Sequence, residues 1–348
     1  MSLELLQTST NRLLNSDDPA MICSALENIH IICSKITGVR GDVLVERHFK
    51  QTFLDGGKAI SPYLAARCLL DPLRTVRFLR GIYAGIHEGF RRFPGERIHI
   101  VYAGCGPYAT LLLPLTTQFT PEQIQLTLID IHKPSIDGVR TLIETLGLEA
   151  YIYKCVQTDA VTYQHPPEIP LHMVVSETMQ AALAQEPQLS IMRNFLPQLH
   201  ENGLFIPEEI VVEASLSRSE EEDVGCRTHR DEFDYPVGRE IEMQTERIPL
   251  GPIITLNSAS AHPDMIGYEW ETIPLATVEV PPRDVQFDQF LLLTTVSIFG
   301  PYGFAPYDCE LSFPLRLYDL TKVASGSRIH FSYVFDRKPG LHHELLSG

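Results

Sequence analysis

Apolar residues recur at steps of three and four across residues 21–36. Ile22, Leu26, Ile29 and Ile32/Cys33 form one stripe, the pattern of a helix with a single buried face. Asp71-Pro72 marks the start of another helix. Asp accepts the free backbone N–H groups of a first turn, and Pro tolerates the first helical position because its missing N–H is not needed there. Val76, Leu79, Ile82/Tyr83, Ile86 and Phe90 continue that buried face until Pro94-Gly95. From Arg97 the texture changes to nearly continuous apolar runs: IHIVYA (98–103), QLTLID (125–130), AYIYKCV (150–156) and LHMVVSE (171–177). A helix is predicted over 135–146, stopped by Gly147. Unbroken apolar strands alternating with helices indicate a parallel sheet covered on both faces. After Gly203 the pieces GLFIPEEIVVEASL, FLLLTTVSIF (290–299), CELSFPLRLYDL (309–320) and RIHFSYVF (328–335) follow with no long helical period between them. They predict antiparallel strands in a barrel or sandwich. The acidic stretch SEEEDV (219–224) and the segment around Pro236 read as exposed loops.

The expected fold is therefore α/β plus β. A helical N-terminal region (1–95) precedes a Rossmann-like domain (96–207), and a C-terminal antiparallel β domain (208–348) is barrel-like. Three hundred and forty-eight residues exceed what one core usually organises, in keeping with more than one domain. Lys and Arg number 28 against 44 Asp and Glu, a net charge of −16, so the basic footprint of a nucleic-acid binder is missing. The seven cysteines are scattered and never spaced C-x-x-C, which argues against a disulfide framework and a zinc ribbon. No basic leader precedes an apolar stretch, and no apolar run approaches the roughly 20 residues of a membrane span. A cytoplasmic protein with neither a nucleic-acid nor a membrane partner is expected, and no metal site.

The candidate chemistry begins where the first strand of the sheet runs into Ala103-Gly104-Cys105-Gly106-Pro107-Tyr108-Ala109. Small residues there let the backbone turn sharply and approach a ligand. The second strand ends in Asp130, placed to accept hydrogen bonds from both hydroxyls of a ribose. Together they describe a nucleoside-containing cofactor. Gly104-x-Gly106-x-x-Ala109 satisfies the dinucleotide fingerprint, while S-adenosylmethionine enzymes use the same frame with the loop facing the amino-acid end. A nucleotide-dependent oxidoreductase and a methyltransferase thus both stand at this point. Asp159, after the third strand, is either a turn residue or a ligand for an adenine amino group. Glu177 ends the fourth strand and Glu186 follows nine positions later. As a pair flanking one loop they would hold a cation and its proton. The alternative is that Glu186 serves the dipole of a helix starting near Pro187.

The segment 176–186 (SETMQAALAQE) is similar to the double-E loop of the protein arginine methyltransferases, S-E-x-M followed by a second Glu nine residues after the first. Asn202-Gly203-Leu204-Phe205-Ile206-Pro207 resembles that family's passage into its β-barrel, and Leu70-Asp71-Pro72-Leu73-Arg74-Thr75 its D-x-x-R-T helix. The motif resemblance spans about residues 60–215. It implies S-adenosyl-L-methionine as cofactor, with Gly104 and Gly106 cradling the methionine part, Asp130 on the ribose, Asp159 near the adenine and Arg74 on the cofactor carboxylate. Glu177 and Glu186 would face the acceptor nitrogen, giving N-methylation of a cationic or amine-type acceptor in a protein, peptide or small molecule. Methylation of small-molecule oxygen is a further alternative. A homodimer is expected from the resemblance alone.

Departures from the family pattern fall mainly on the substrate side. Tyr102 stands where an acid usually precedes the glycine loop, Tyr108 replaces its third glycine, and Gln180 replaces the Gly after S-E-x-M. No T-H-W element lies near the C-terminus, and Thr228-His229-Arg230 comes too early and lacks the Trp. Cofactor use therefore transfers better than substrate identity. His342-His343 are expected in a disordered tail, and His229 with Asp231 and Glu232 in a solvated loop. Cys105 reads as a small residue filling a turn. The segment 299–304 (FGPYGF) reads as a hairpin loop whose aromatics either cap a cleft or bury against the β domain.

Overall fold

The computed structural model describes residues 2–41, 48–220, 222, 246–261, 272–320 and 323–346. Helices α1 (Ser2–Asn15) and α2 (Pro19–Thr37) pair through Leu6, Leu13, Ile22 and Leu26. The carboxylate of Asp18 accepts from the N–H groups of Ala20 and Met21, and Gly38 in the left-handed conformation closes α2. A hairpin follows, β1 (Thr52–Leu54) and β2 (Gly57–Ala59), inside a region whose periodicity predicts only helices. Then come α3 (Pro62–Arg67) and α4 (Pro72–Arg92), with Asp71 capping α4 by accepting from the N–H of Arg74.

The next strands are β3 (Ile98–Ala103), β4 (Ile124–Asp130), β5 (Ile152–Gln157), β6 (Met173–Ser176) and β7 (Leu204–Ile206). They form one parallel sheet in the order β5-β4-β3-β6-β7. Ile100, Val101, Leu126, Leu128, Val174 and Val175 are all buried, which is why these strands read as unbroken apolar runs. Helix α5 (Lys133–Leu146) crosses from β4 to β5, and α6 (Gln188–Phe195) lies between β6 and β7. No α-helix crosses from β3 to β4. Residues 107–113 make turns and Pro114–Thr117 a single 3-10 turn, burying Leu111, Leu112, Leu113 and Leu115.

The remaining strands are antiparallel: β8 (Glu209–Ser217), β9 (Arg247–Asn257), β10 (Thr272–Glu279), β11 (Gln289–Phe299), β12 (Tyr302–Phe304), β13 (Leu315–Arg316), β14 (Arg328–Val334) and β15 (Gly340–Leu346). One sheet has the order β12-β11-β8-β9 with β13 beside β11, the other β10-β14-β15. Their inner faces meet at Phe290 and Phe331, whose ring centres lie 6.2 Å apart. Among the described residues no ladder joins the two sheets, so the arrangement is an open version of the expected barrel. Helix α4 ties this part to the parallel sheet through a small-residue notch. A Cβ at Gly81 would lie 2.5 Å from Ile298 Cγ2, and one at Gly85 would lie 2.6 Å from Ile206 Cδ1.

Several expectations change. Residues 309–320 are not a strand: Pro314 has no N–H to offer a ladder, and only Leu315–Arg316 pair, between 3-10 turns. His342 and His343 lie in β15 rather than in a disordered tail, and His343 Nε2 is 2.6 Å from Asp319 Oδ2. Glu222, from the stretch read as an exposed loop, is buried. Its Oε1 accepts from Ser217 Oγ and from Arg247 Nε, at 2.5 and 2.9 Å. Segment 299–304 is the β11–β12 turn, and its Phe304 packs on Phe78 of α4 rather than over a cleft. Pro236, Cys226 and the residues at 228–232 fall outside the described residues. No helix among the described residues is long and apolar enough to cross a membrane.

Candidate functional site

In the parallel sheet the chain leaves β3 toward β4 on one side and later passes from β6 to β7 on the other. Ligands of such sheets bind in the crevice beyond the carboxyl ends of the strands at this reversal of order. A cavity opens there, and Gly104, Gly106, Asp130, Asp159, Arg74, Glu177 and Glu186 all line it. Residues up to 112 positions apart in sequence are thus brought to one space.

The glycine loop is pinned to the end of β4. The N–H groups of Gly104 and Cys105 both donate to the Ile129 carbonyl at 2.9 Å, and that of Gly106 donates to Asp130 Oδ2 at 2.9 Å. Gly104 and Gly106 have φ of +74° and +64°, and a Cβ on Gly104 would lie 2.5 Å from Thr178 Cγ2. Both the conformation and the space therefore require glycine at 104. A dinucleotide loop must open an α-helix whose N-terminus receives the pyrophosphate. Here turns follow instead, and Ala109 has φ +44°, so the pyrophosphate cradle is missing. Cys105 is buried and its thiol is pushed up by that burial, in keeping with a space-filling turn residue.

Asp130 is more than a strand-end carboxylate. It is buried, and besides Gly106 it accepts from the His132 N–H at 2.8 Å, so each oxygen already holds one backbone donor. Each also retains acceptor capacity toward the cavity. Asp159 forms a turn, with Oδ1 accepting from the Val161 N–H at 2.9 Å, while it also lines the cavity.

At the other end of the cavity, the 177–187 loop runs between the parallel sheet and the β domain. Ala182, Leu183 and Gln185 have φ of 56°, 56° and 63°, strained for residues with side chains. Surrounding elements hold them there. The Ala182 N–H donates to Thr294 Oγ1 at 2.8 Å, the Gln185 N–H to the Pro339 carbonyl at 2.5 Å, and the Lys58 N–H to the Gln185 carbonyl at 2.7 Å. This course returns Glu186 to the same space as Glu177. Glu186 lies outside the first turn of α6, which contains no acid, and only 7% of its surface is exposed.

Arg74 is buried, and its guanidinium donates to Glu177 Oε2. The resemblance assigns Arg74 to the cofactor carboxylate, and its bond to Glu177 is a partnership no local spacing announces. Burial pushes the Glu177 carboxyl up, opposed by Arg74. Glu177 Oε1 is buried with no hydrogen-bond partner among the described residues. Glu186 is pushed up to about 7, first by burial and then by the charge of Glu177, with Arg74 and Lys58 pulling it back. Sequence reasoning missed Lys58, a buried cavity residue on β2 whose Nζ donates to Gln185 Oε1 at 3.1 Å, and His132, which also lines the cavity. The turn sequence Asp55-Gly56-Gly57 was the available signal for the hairpin that carries Lys58.

Fold and site together define a parallel α/β sheet with a ligand crevice at its switch point and a buried acid pair beside it. No family model and no curated protein matches the chain. Among solved structures it is similar to the Trypanosoma brucei PRMT1 enzyme–prozyme heterotetrameric complex with AdoHcy, at 13% identity and a TM-score of 0.49. That match covers 82% of this chain and 94% of the other. It is also similar to Arabidopsis thaliana protein arginine methyltransferase 10 in an open conformation, at 12% identity and a TM-score of 0.47, over 77% of this chain and 86% of the other. At these identities the chemistry of the site has to be read from its own residues.

Proposed function

We propose that the protein is an S-adenosylmethionine-dependent methyltransferase acting on an amine-type or cationic nitrogen acceptor. The observation that carries this reading is a single cavity running from the glycine loop and Asp130 to the buried acids Glu177 and Glu186, with Glu177 Oε1 lacking a hydrogen-bond partner among the described residues. A buried carboxylate oxygen without a donor is costly, and a ligand N–H aimed at it relieves that cost. Gly104 and Gly106 both line this cavity in the left-handed conformation, so a methionine moiety there would meet backbone and no side chain at either position. Asp130 would accept from the ribose hydroxyls, Asp159 would face the adenine amino group, and Arg74 would bind the cofactor carboxylate while holding Glu177.

When bound, the cofactor supplies a methyl group on a sulfonium sulfur, open to in-line attack by nitrogen. The task of the protein is to position the acceptor, an effect worth up to about 7–11 kcal/mol in favourable cases. Glu177 would hold the acceptor N–H through Oε1. Glu186, with its carboxyl near neutrality, would take the proton lost from nitrogen. Homodimerisation belongs to the same reading, as an expectation from the family resemblance. Titration calorimetry with S-adenosylhomocysteine and with NAD tests it. Binding of the first and not of the second is expected, and binding of NAD alone overturns the proposal.

A further inference from the structure

The hairpin β1–β2 roofs the cavity. Leu54, Gly56, Gly57 and Lys58 line it from above, and the tip rests on the opposite wall. A Cβ at Gly56 would lie 2.8 Å from Val161 Cγ2, one at Gly57 would lie 2.9 Å from the Pro187 nitrogen, and Ser190 Oγ donates to the Gly56 carbonyl at 3.1 Å. At the end of the cavity near Asp130 a polar contact joins roof to floor: Thr52 Oγ1 lies 3.1 Å from His132 Nε2. The other ring nitrogen, Nδ1, lies 3.5 Å from Asp130 Oδ1, the oxygen that also accepts the His132 N–H. His132 occupies the N-cap of α5, yet its side chain makes no capping bond and its ring is only 11% exposed. A capping role therefore does not explain it. In the neutral ring tautomer whose Nε2 accepts from the Thr52 hydroxyl, the proton sits on Nδ1 and faces the Asp130 carboxylate across 3.5 Å.

We propose that His132 is a positioning residue that couples ribose recognition at Asp130 to closure of the hairpin roof, an assignment that rests on the cofactor reading above. The Asp130 carboxylate is held by the Gly106 N–H through Oδ2 and by the His132 backbone N–H through Oδ1, and the His132 ring, with Nδ1 3.5 Å from that same Oδ1, adds an electrostatic contact that orients it. A ribose hydroxyl that docks there acts on the same line of contacts, from Asp130 to the His132 ring to Thr52 at the foot of β1. Occupation of the ribose site thereby tightens the roof, and a closed roof fixes the ribose acid. The coupling is reciprocal.

The test is calorimetry with S-adenosylhomocysteine and its 2′-deoxy and 3′-deoxy analogues, together with hydrogen exchange of the hairpin amides 53–58. The wild-type protein is expected to prefer the ribose form by roughly tenfold or more, the scale of a hydrogen bond to a charged group. His132→Ala should lose most of that preference by weakening the ribose form while leaving the deoxy forms nearly unchanged. His132→Gln, which can still bridge an acid and a hydroxyl, should recover part of it. Thr52→Val should lose the ligand-induced protection of the hairpin amides and, because the coupling is reciprocal, part of the ribose preference with it. Equal weakening of all three ligands in His132→Ala, or full preference in that variant, overturns the assignment and leaves the cofactor reading standing. Absence of S-adenosylhomocysteine binding by the wild-type protein removes both.

Discussion

Replacing Glu186 with Gln should make the ligand-free protein more stable at high pH and leave it unchanged at low pH. Gln keeps the shape of the side chain and removes its proton equilibrium. In the folded protein the carboxyl is raised from an ordinary 4.5 to about 7 by burial and by the neighbouring charge of Glu177. Between those values the folded protein holds a proton that the unfolded chain has released, so stability falls as pH rises through this window. At about 1.4 kcal/mol per pH unit, the full penalty above pH 7 is about 3 kcal/mol. The advantage of Glu186→Gln should accordingly grow by about 2–3 kcal/mol between pH 5 and pH 8, or about 3–4 °C in midpoint for a chain of this length. The assay is thermal or urea unfolding of both proteins at several pH values, read as the difference at each pH. His99, His165 and His172 are also shifted by burial, downward, but they are common to both proteins and largely cancel. A small, pH-independent loss of stability, about 0.3–1 kcal/mol, would mean that Glu186 serves a helix dipole, and the buried-pair reasoning would fail.

Glu177→Gln should behave in the opposite way. It leaves the buried Arg74 guanidinium without its carboxylate and should cost about 3–5 kcal/mol, measured by urea unfolding at pH 7. Asp130→Ala should weaken S-adenosylhomocysteine binding by about 1.5–3 kcal/mol in calorimetry. It should also lower stability by about 1–3 kcal/mol, because the Gly106 and His132 N–H groups lose their shared acceptor. Unchanged stability would reduce those two bonds to incidental contacts.

What the chain displays locally is readable without a structure. Strands β3, β4 and β6 are covered on both faces, so each appears as an unbroken apolar run of strand length. Helix α4 announces its start with Asp71-Pro72 and its buried face with spacings of three and four, and Gly147 stops α5 in the conformation glycine adopts most freely. The glycine loop, Asp130 and Glu177 were visible as residue types placed at strand ends, and Glu186 as a second acid nine positions further on. Strand β15 was not visible. Only Gly340 is buried along it, and its Leu-His-His-Glu stretch carries no alternation; pairing with β14 makes it a strand. Of β1 and β2, three residues each, only the Asp-Gly-Gly turn between them was visible, and they are held in place by resting on Pro187, Val161 and Gln185.

Sequence alone thus determined the elements whose cause lies within a few residues: helical periodicity, caps, doubly buried strands and the small residues of a tight turn. Tertiary structure decided which charges meet. Arg74 stands at the start of α4 and Glu177 at the end of β6, 103 positions apart. They meet because Gly81 and Gly85 let α4 lie close against Ile298 and Ile206. Glu186 reaches the same space only because the β domain and the hairpin hold a strained loop in place, and its burial there carries its carboxyl to about 7. Periodicity and capping act over a turn or two of chain. Desolvation and Coulomb interaction act through space, and their strength depends on packing that no local pattern encodes.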